Sequence, residues 1–245
     1  MIALEKILES HRSTFHKVVD YSEKDIISLL DLTKHNTELT EFIYSDTTAF
    51  SAYINKELKK NNALYLVGGY NELREMYKRS ILFDLVKYDL SEISLQYDTP
   101  VPEPRRLHLG VDIWGAAGTK IYAPLGGMVH SFANNDSFGD YGATIILQHQ
   151  IDMVPFHTLY GHLSLNDISE LREGHFITRG QCFAHFGSPS ENGNWPPHLH
   201  FQVIEDLELK EGDYPGVCKE SEKEKYLHNC PDPDLILNMV HRAAQ

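Results

Sequence analysis

Residues 106–149 read RLHLGVDIWGAAGTKIYAPLGGMVHSFANNDSFGDYGATIILQH, and this stretch decides the fold. Short apolar runs at Val111-Asp112-Ile113, Lys120-Ile121-Tyr122, Met128-Val129-His130 and Thr144–His149 are separated by turn chemistry. The turns fall at Gly115, Gly118, Pro124, Gly126-Gly127, Asn134-Asn135-Asp136, Gly139 and Gly142. Runs this short, bounded by glycine, proline and asparagine, read as strands. His157–Tyr160, Cys182–Phe186 and Leu199–Ile204 continue the series. The expectation is antiparallel β structure with little helix until the end. There Asp232-Pro233 supplies a cap and a first-turn proline, and Asp234 to Ala244 predicts one amphipathic helix.

Upstream the pattern differs. Ile2, Leu4, Ile7 and Leu8, then Phe15, Val18 and Val19, recur at helical spacing. Ser22 with Asp25 resembles a capping box with Asp in place of Glu, opening a second helix through Ile26, Ile27, Leu29 and Leu30. A third runs from Thr47 to Lys60 and ends at Asn61-Asn62. Ala63 to Val67 predicts a strand stopped by Gly68-Gly69, and Asn71 to Arg79 a short helix. Pro100, Pro102 and Pro104 predict an extended linker. The fold class expected is α+β. Residues 1–60 form an N-terminal helical region, and residues 61–245 a β-rich domain whose motif-bearing core is 106–204.

Composition narrows the partners. With 22 basic against 35 acidic residues the net charge is −13, which repels phosphate backbones and argues against nucleic acid. No run of about 18 apolar residues exists, so no membrane span is expected. The N-terminus mixes charges through its apolar residues and does not read as a signal peptide. Cys182, Cys218 and Cys230 are odd in number and contain no C-x-x-C pair, which fits a reducing compartment. Together these predict a cytoplasmic protein.

Three motifs carry chemistry: His108-Leu-Gly-Val-Asp112, Tyr160-Gly-His162-Leu163 and His198-Leu-His200. Two imidazoles and a carboxylate suffice for a catalytic zinc site, which takes three protein ligands and leaves its fourth position to water. Further histidines then remain for proton transfer and charge stabilisation. His108 and Asp112 would lie about 13 Å apart on a straight strand, too far to share one ion at ~2 Å bond lengths. The chain must therefore curl between them, and Gly110 permits it. His198 and His200 share one face of a strand, which Pro196-Pro197 forces into extended entry. No H-E-x-x-H motif, which pairs two zinc-binding histidines with a glutamate base, is present, so a base at such a site is expected to be imidazole.

The stretch from about Arg106 to Ile204 resembles the M23 family of zinc metallopeptidases, the lysostaphin-like or LytM-like endopeptidases. The resemblance rests on the three motifs, on Ala123-Pro-Leu-Gly-Gly-Met-Val129 and on Gly180-Gln181. It implies the duplicated hybrid motif type of β fold and a peptide-like or amide-containing substrate. It also implies a Zn²⁺ held by His108, Asp112 and His200, with His162 and His198 flanking the water as catalytic groups. The absence of an export signal, Trp195-Pro-Pro-His-Leu-His200 and the Cys230–Ile236 tail more closely resemble a subgroup also found fused to phosphotransferase and aminotransferase domains. The segment Gly187 to Pro197 is bulkier than the family's usual turn.

Two alternatives stand beside this reading. Two histidines and a carboxylate also form the facial triad of non-heme Fe(II) oxygenases, though there His and Asp are typically two apart on one strand. A non-catalytic metal-binding or regulatory module on the same scaffold is the other; degenerate relatives lack ligands, and all five residues are present here. Finally, Gly68-Gly69-Tyr70-Asn71-Glu72 is a possible occluding segment, with Asn71 offering its oxygen to the open zinc position. The simpler reading is a turn, with Asn71 capping the next helix.

Overall fold

The computed structural model describes residues 3–84 and 103–245. The linker expected at Pro100 and Pro102 lies outside them. The chain opens with α1 (Ala3–His11), which buries Leu4 and Leu8. The helical spacing of Phe15, Val18 and Val19 is not used: α1 gives way to a single 3₁₀ turn, and Val18 lies at a bend, its carbonyl accepting from Tyr122 N–H. Ser22 and Asp25 do bond as in a capping box, at 2.7 Å, but they close a turn and not a helix.

That turn leads into strand β1 (Ile27–Leu30), parallel to β2 (Tyr65–Gly68). The helix predicted through Ile26–Leu30 is thus a strand. A short apolar run does not reveal its own period, and pairing with β2 settles it. Parallel strands need a crossover. Here it is α2 (Glu41–Ser45) with α3 (Thr47–Lys60), the latter capped by the Asp46 carboxylate on Ala49 N–H at 2.7 Å. The short helix expected over Asn71–Arg79 is instead β3 (Glu72–Leu73) and a 3₁₀ turn at Glu75–Arg79.

Then come β4 (Leu107–His108), β5 (Val111–Trp114), β6 (Lys120–Tyr122), β7 (Gly127–Asn135), β8 (Gly142–Ile151) and β9 (Val154–Leu163). The series ends with β10 (Phe176–Ile177), β11 (Cys182–His185), β12 (His198–Ile204) and β13 (Val217–Cys218). Eight strands form one sheet in the order β1-β2-β5-β12-β9-β8-β7-β10. All its pairings but β1–β2 are antiparallel, which gives the α+β class expected. The pairs β11–β6 and the triplet β13-β4-β3 are smaller sheets. After α4 (Lys223–Asn229), the expected single C-terminal helix is two, α5 (Asp234–Leu237) and α6 (Met239–Ala243). Asn238 breaks it at φ 51°, and the Asp234 carboxylate caps α6 by accepting from the N–H groups of Met239, Val240 and His241.

Alternation along the strands sorts the two faces of the large sheet. Val111 and Ile113 of β5 and Leu199, Phe201 and Val203 of β12 enter the main core with α1. Asp112, Trp114, His198, His200 and Gln202 alternate with them and face the other way. On that second face lie two smaller apolar clusters, one around Phe50, Leu66, Trp114 and Trp195, the other around Tyr141, Leu159, Ile204 and Tyr214.

Candidate metal centre

Strand register assembles the site. Gly68 of β2 pairs with Asp112 of β5, Asp112 with His200 of β12, and His200 with Gly161 of β9. Two chemical residues thus sit side by side in one row with a glycine at each end. The third, His108, arrives from β4 in a different sheet. Between β4 and β5 the chain changes sheets at Leu109-Gly110, which is the curl the sequence demanded. Gly110 is required there for space: a Cβ would lie 2.5 Å from His200 Cε1 and 2.8 Å from the Phe201 carbonyl oxygen.

The three side chains are buried and their atoms converge. His108 Nε2 lies 3.0 Å from His200 Nδ1 and 3.2 Å from Asp112 Oδ1, and His200 Nδ1 lies 3.1 Å from the same oxygen. The edges of a tetrahedral site with ~2.0–2.1 Å bonds are about 3.3 Å.

The outer atoms decide what the inner ones are. His108 Nδ1 lies 3.1 Å from the Gly69 carbonyl, which only accepts, so Nδ1 carries the proton and Nε2 its lone pair. Gln202 donates its amide to the Pro215 carbonyl at 3.2 Å, so its oxygen faces His200 Nε2 at 2.9 Å and takes that proton. Arg74 Nη1 donates to Asp112 Oδ2 at 2.5 Å. Two nitrogen lone pairs and a carboxylate oxygen are therefore left pointing at one another. A cation between them resolves an arrangement that is otherwise repulsive, and the donor set fits zinc.

Burial works against the Asp112 carboxylate, but His108 and Arg74 outweigh it and hold its pKa well below the usual range. Burial and the Arg74 charge lower His108 to about 4. Both groups thus stay in their ligating forms.

His162 and His198 lie beside this centre. His198 is on the same face as His200 and stacks on Trp114 at 3.9 Å between ring centroids. His162 stacks on His198 at 4.1 Å. His162 reaches there through a bulge: between Ala143↔Leu163 and Ile145↔Tyr160, Gly161 and His162 together oppose the single Thr144. Its backbone is left-handed, φ 63°. That conformation costs on the order of 1–3 kcal/mol in a non-glycine residue. Its N–H donates to the Tyr141 carbonyl and its own carbonyl accepts from Gly187 N–H, which hold it in place.

Each of these two rings donates Nδ1–H to a carbonyl, His162 to Asn192 at 2.9 Å and His198 to Pro196 at 2.7 Å. Each Nε2 is then a bare acceptor. Burial, then the charge of its stacked neighbour, lowers His162 well below its ordinary pKa, and burial lowers His198 to about 4. The bulky Gly187–Pro197 segment is what supplies both carbonyls. Asn192 ties it by bonds to Gly187 and Trp195.

Asp112, His162, His198 and His200 open onto a cavity of about 430 Å³ also lined by Tyr77, Tyr141 and Trp195. Asn71 does not line it. Its side chain is exposed, its φ is 58°, and its N–H donates to the His108 carbonyl. The occluding role considered for Asn71 is therefore not seen, nor does it cap a helix; it turns the chain between β2 and β3. Arg74, Tyr141 and Gln202 are contributors the motifs did not reveal. Gln202 had a signal, lying two past His200 on the same strand face. Tyr141 reaches His200 Nε2 at 3.4 Å because Gly161 has no side chain there. Arg74 left no trace.

Comparison with known proteins agrees with this geometry. Residues 106–211 match the description Peptidase family M23. A zinc-containing peptidase from Vibrio cholerae is similar at 26% identity over 45% of this chain and 31% of its own, with TM-score 0.33. A putative peptidase M23 from Pseudomonas aeruginosa is 22% identical over 60% of this chain and 52% of its own, TM-score 0.35. The catalytic domain of lysostaphin from Staphylococcus simulans is 24% identical over 49% of this chain and 80% of its own, TM-score 0.34. The chain thus spans about a third and a half of the first two structures. No curated protein matches it. The matched stretch contains all three residues of the His/Asp/His site.

Proposed function

We propose that this protein is a zinc-dependent metallohydrolase, an M23-like endopeptidase that cleaves a peptide or amide bond. The observation that carries the reading is the convergence of three unshared electron pairs at 3.0–3.2 Å, with every outer atom tied away. Zinc there would polarise the scissile carbonyl and make its water acidic near neutral pH.

The chain's own residues supply the rest. His108, Asp112 and His200 would hold the ion. His162 and His198 each present a neutral Nε2 able to take the proton of the attacking water and return it to the leaving amine. At 4.1 Å the stacked rings do not both charge readily, so one proton at a time occupies the pair. Tyr141, kept a phenol by burial and then by nearby Asp213, remains a donor toward the cavity. The cavity, about 430 Å³, suits a few residues of an extended peptide or a comparable amide.

The test is metal analysis of the purified protein with a hydrolysis assay on short peptides and amides. One zinc per chain is expected, with loss of metal and hydrolysis in His200→Ala. Full zinc occupancy in that variant, or a zinc-loaded protein that cleaves nothing, would refute the reading.

We also propose a cytoplasmic location, supported by three free cysteines and the acidic balance. Among the described residues no helix is long and apolar enough to cross a membrane. Fractionation finding the native protein chiefly outside the cytoplasm would overturn it.

A further inference from the structure

We propose that Arg74 is a positioning residue of the metal centre: its guanidinium holds the outer oxygen of Asp112, so that one carboxylate oxygen alone faces the ion. This rests on the metal reading and deepens it.

Arg74 lies ahead of the region that matches the family, yet it has no exposed surface and reaches the middle of the site. Nη1 donates to Asp112 Oδ2 at 2.5 Å, Nε to Glu72 Oε2 at 2.7 Å and Nη2 to the Gly69 carbonyl at 3.2 Å. Asp112 thus divides its labour: Oδ2 serves Arg74, while Oδ1 lies 3.1 and 3.2 Å from the two ligand nitrogens.

The neighbouring backbone is shaped for this. A Cβ on Gly68 would stand 2.6 Å from Arg74 Nη2. Gly68 has no left-handed φ, so the demand at that position is space for the guanidinium. The same segment supplies the Gly69 carbonyl that fixes His108, so residues 69–74 orient two of the three ligands. A lysine would bring the charge without the planar fork that spans all three acceptors.

Cobalt(II) is the probe, titrated into the metal-free 245-residue chain and read by its visible spectrum. Wild type is expected to bind one ion with the intense bands of low-coordinate cobalt. Arg74→Met should bind about 10–100-fold more weakly, the usual effect of losing an outer-shell partner. Its bands should weaken as the released Oδ2 joins the ion. Arg74→Lys should fall between the two.

If Arg74→Met does not fold by circular dichroism, Gly68→Ala carries the test. It keeps the charge but pushes Nη2 aside, and the same weakening of the bands is expected. Wild-type affinity and spectrum in a folded Arg74→Met or Gly68→Ala protein overturn the proposal. Cobalt bound with the wild-type spectrum in His200→Ala overturns the metal reading itself, a result distinct from the first.

Discussion

At the scale of single residues, the site consists of groups whose outer hydrogen bonds determine what their inner atoms can do. His162 and His198 are the clearest case: a carbonyl on each Nδ1 leaves each Nε2 a base. Each change to alanine should therefore keep the metal and lower the hydrolysis rate about 10²–10⁴-fold. Metal content and rate measured on the same preparation check this, and loss of metal in either variant would redraw the ligand set. His108, Asp112, His162, His198 and His200 were legible as candidates, because the motifs display the residue types that a zinc site would select. Arg74 and Tyr141 were not legible. Their roles depend on two glycines across the sheet row, Gly68 and Gly161, and that adjacency exists only after β2, β5, β12 and β9 have paired.

Among the elements, most strands were readable from alternation and turn residues, and α3 was readable from its apolar spacing. β1 was not, since four residues show no period and a partner 38 positions away decides the matter. The pairing of β8 with β9 carries a further consequence. His149 on β8 is buried between the Gly126 carbonyl and the Thr158 hydroxyl, and burial lowers its pKa from 6.5 to about 4. Between those values the unfolded chain holds the extra proton and the folded one does not. Its contribution is thus complete above pH 6.5 and is lost as pH falls toward 4, about 3 kcal/mol in all. Urea unfolding at pH 7 and at pH 4 should show a smaller loss in His149→Gln than in wild type. Parallel losses in the two proteins would remove His149 from the account.

Over the whole molecule, the first 75 residues are built into the site. They supply β1 and β2 to the sheet, Phe50 against Trp114 and Trp195, and Arg74 to Asp112. A removable latch over the zinc would leave an active, folded remainder when deleted. Deleting residues 1–75 should instead give a protein that neither binds metal nor stays soluble; a soluble truncation with raised activity would restore the latch. The row that joins Asp112 to His200 also fixes a sequence of events. Its members are 88 positions apart, and His108 and His200 are 92 apart. Such distant partners meet late, after the slow closure of long loops. An ion held by His108, Asp112 and His200 would then join late in folding: it would leave the rate of folding alone and retard only the way back. A slip of β12 by one residue would turn both of its imidazoles to the opposite face. Retention of such an ion would thus report the strand alignment, and a misthreaded chain would stay empty.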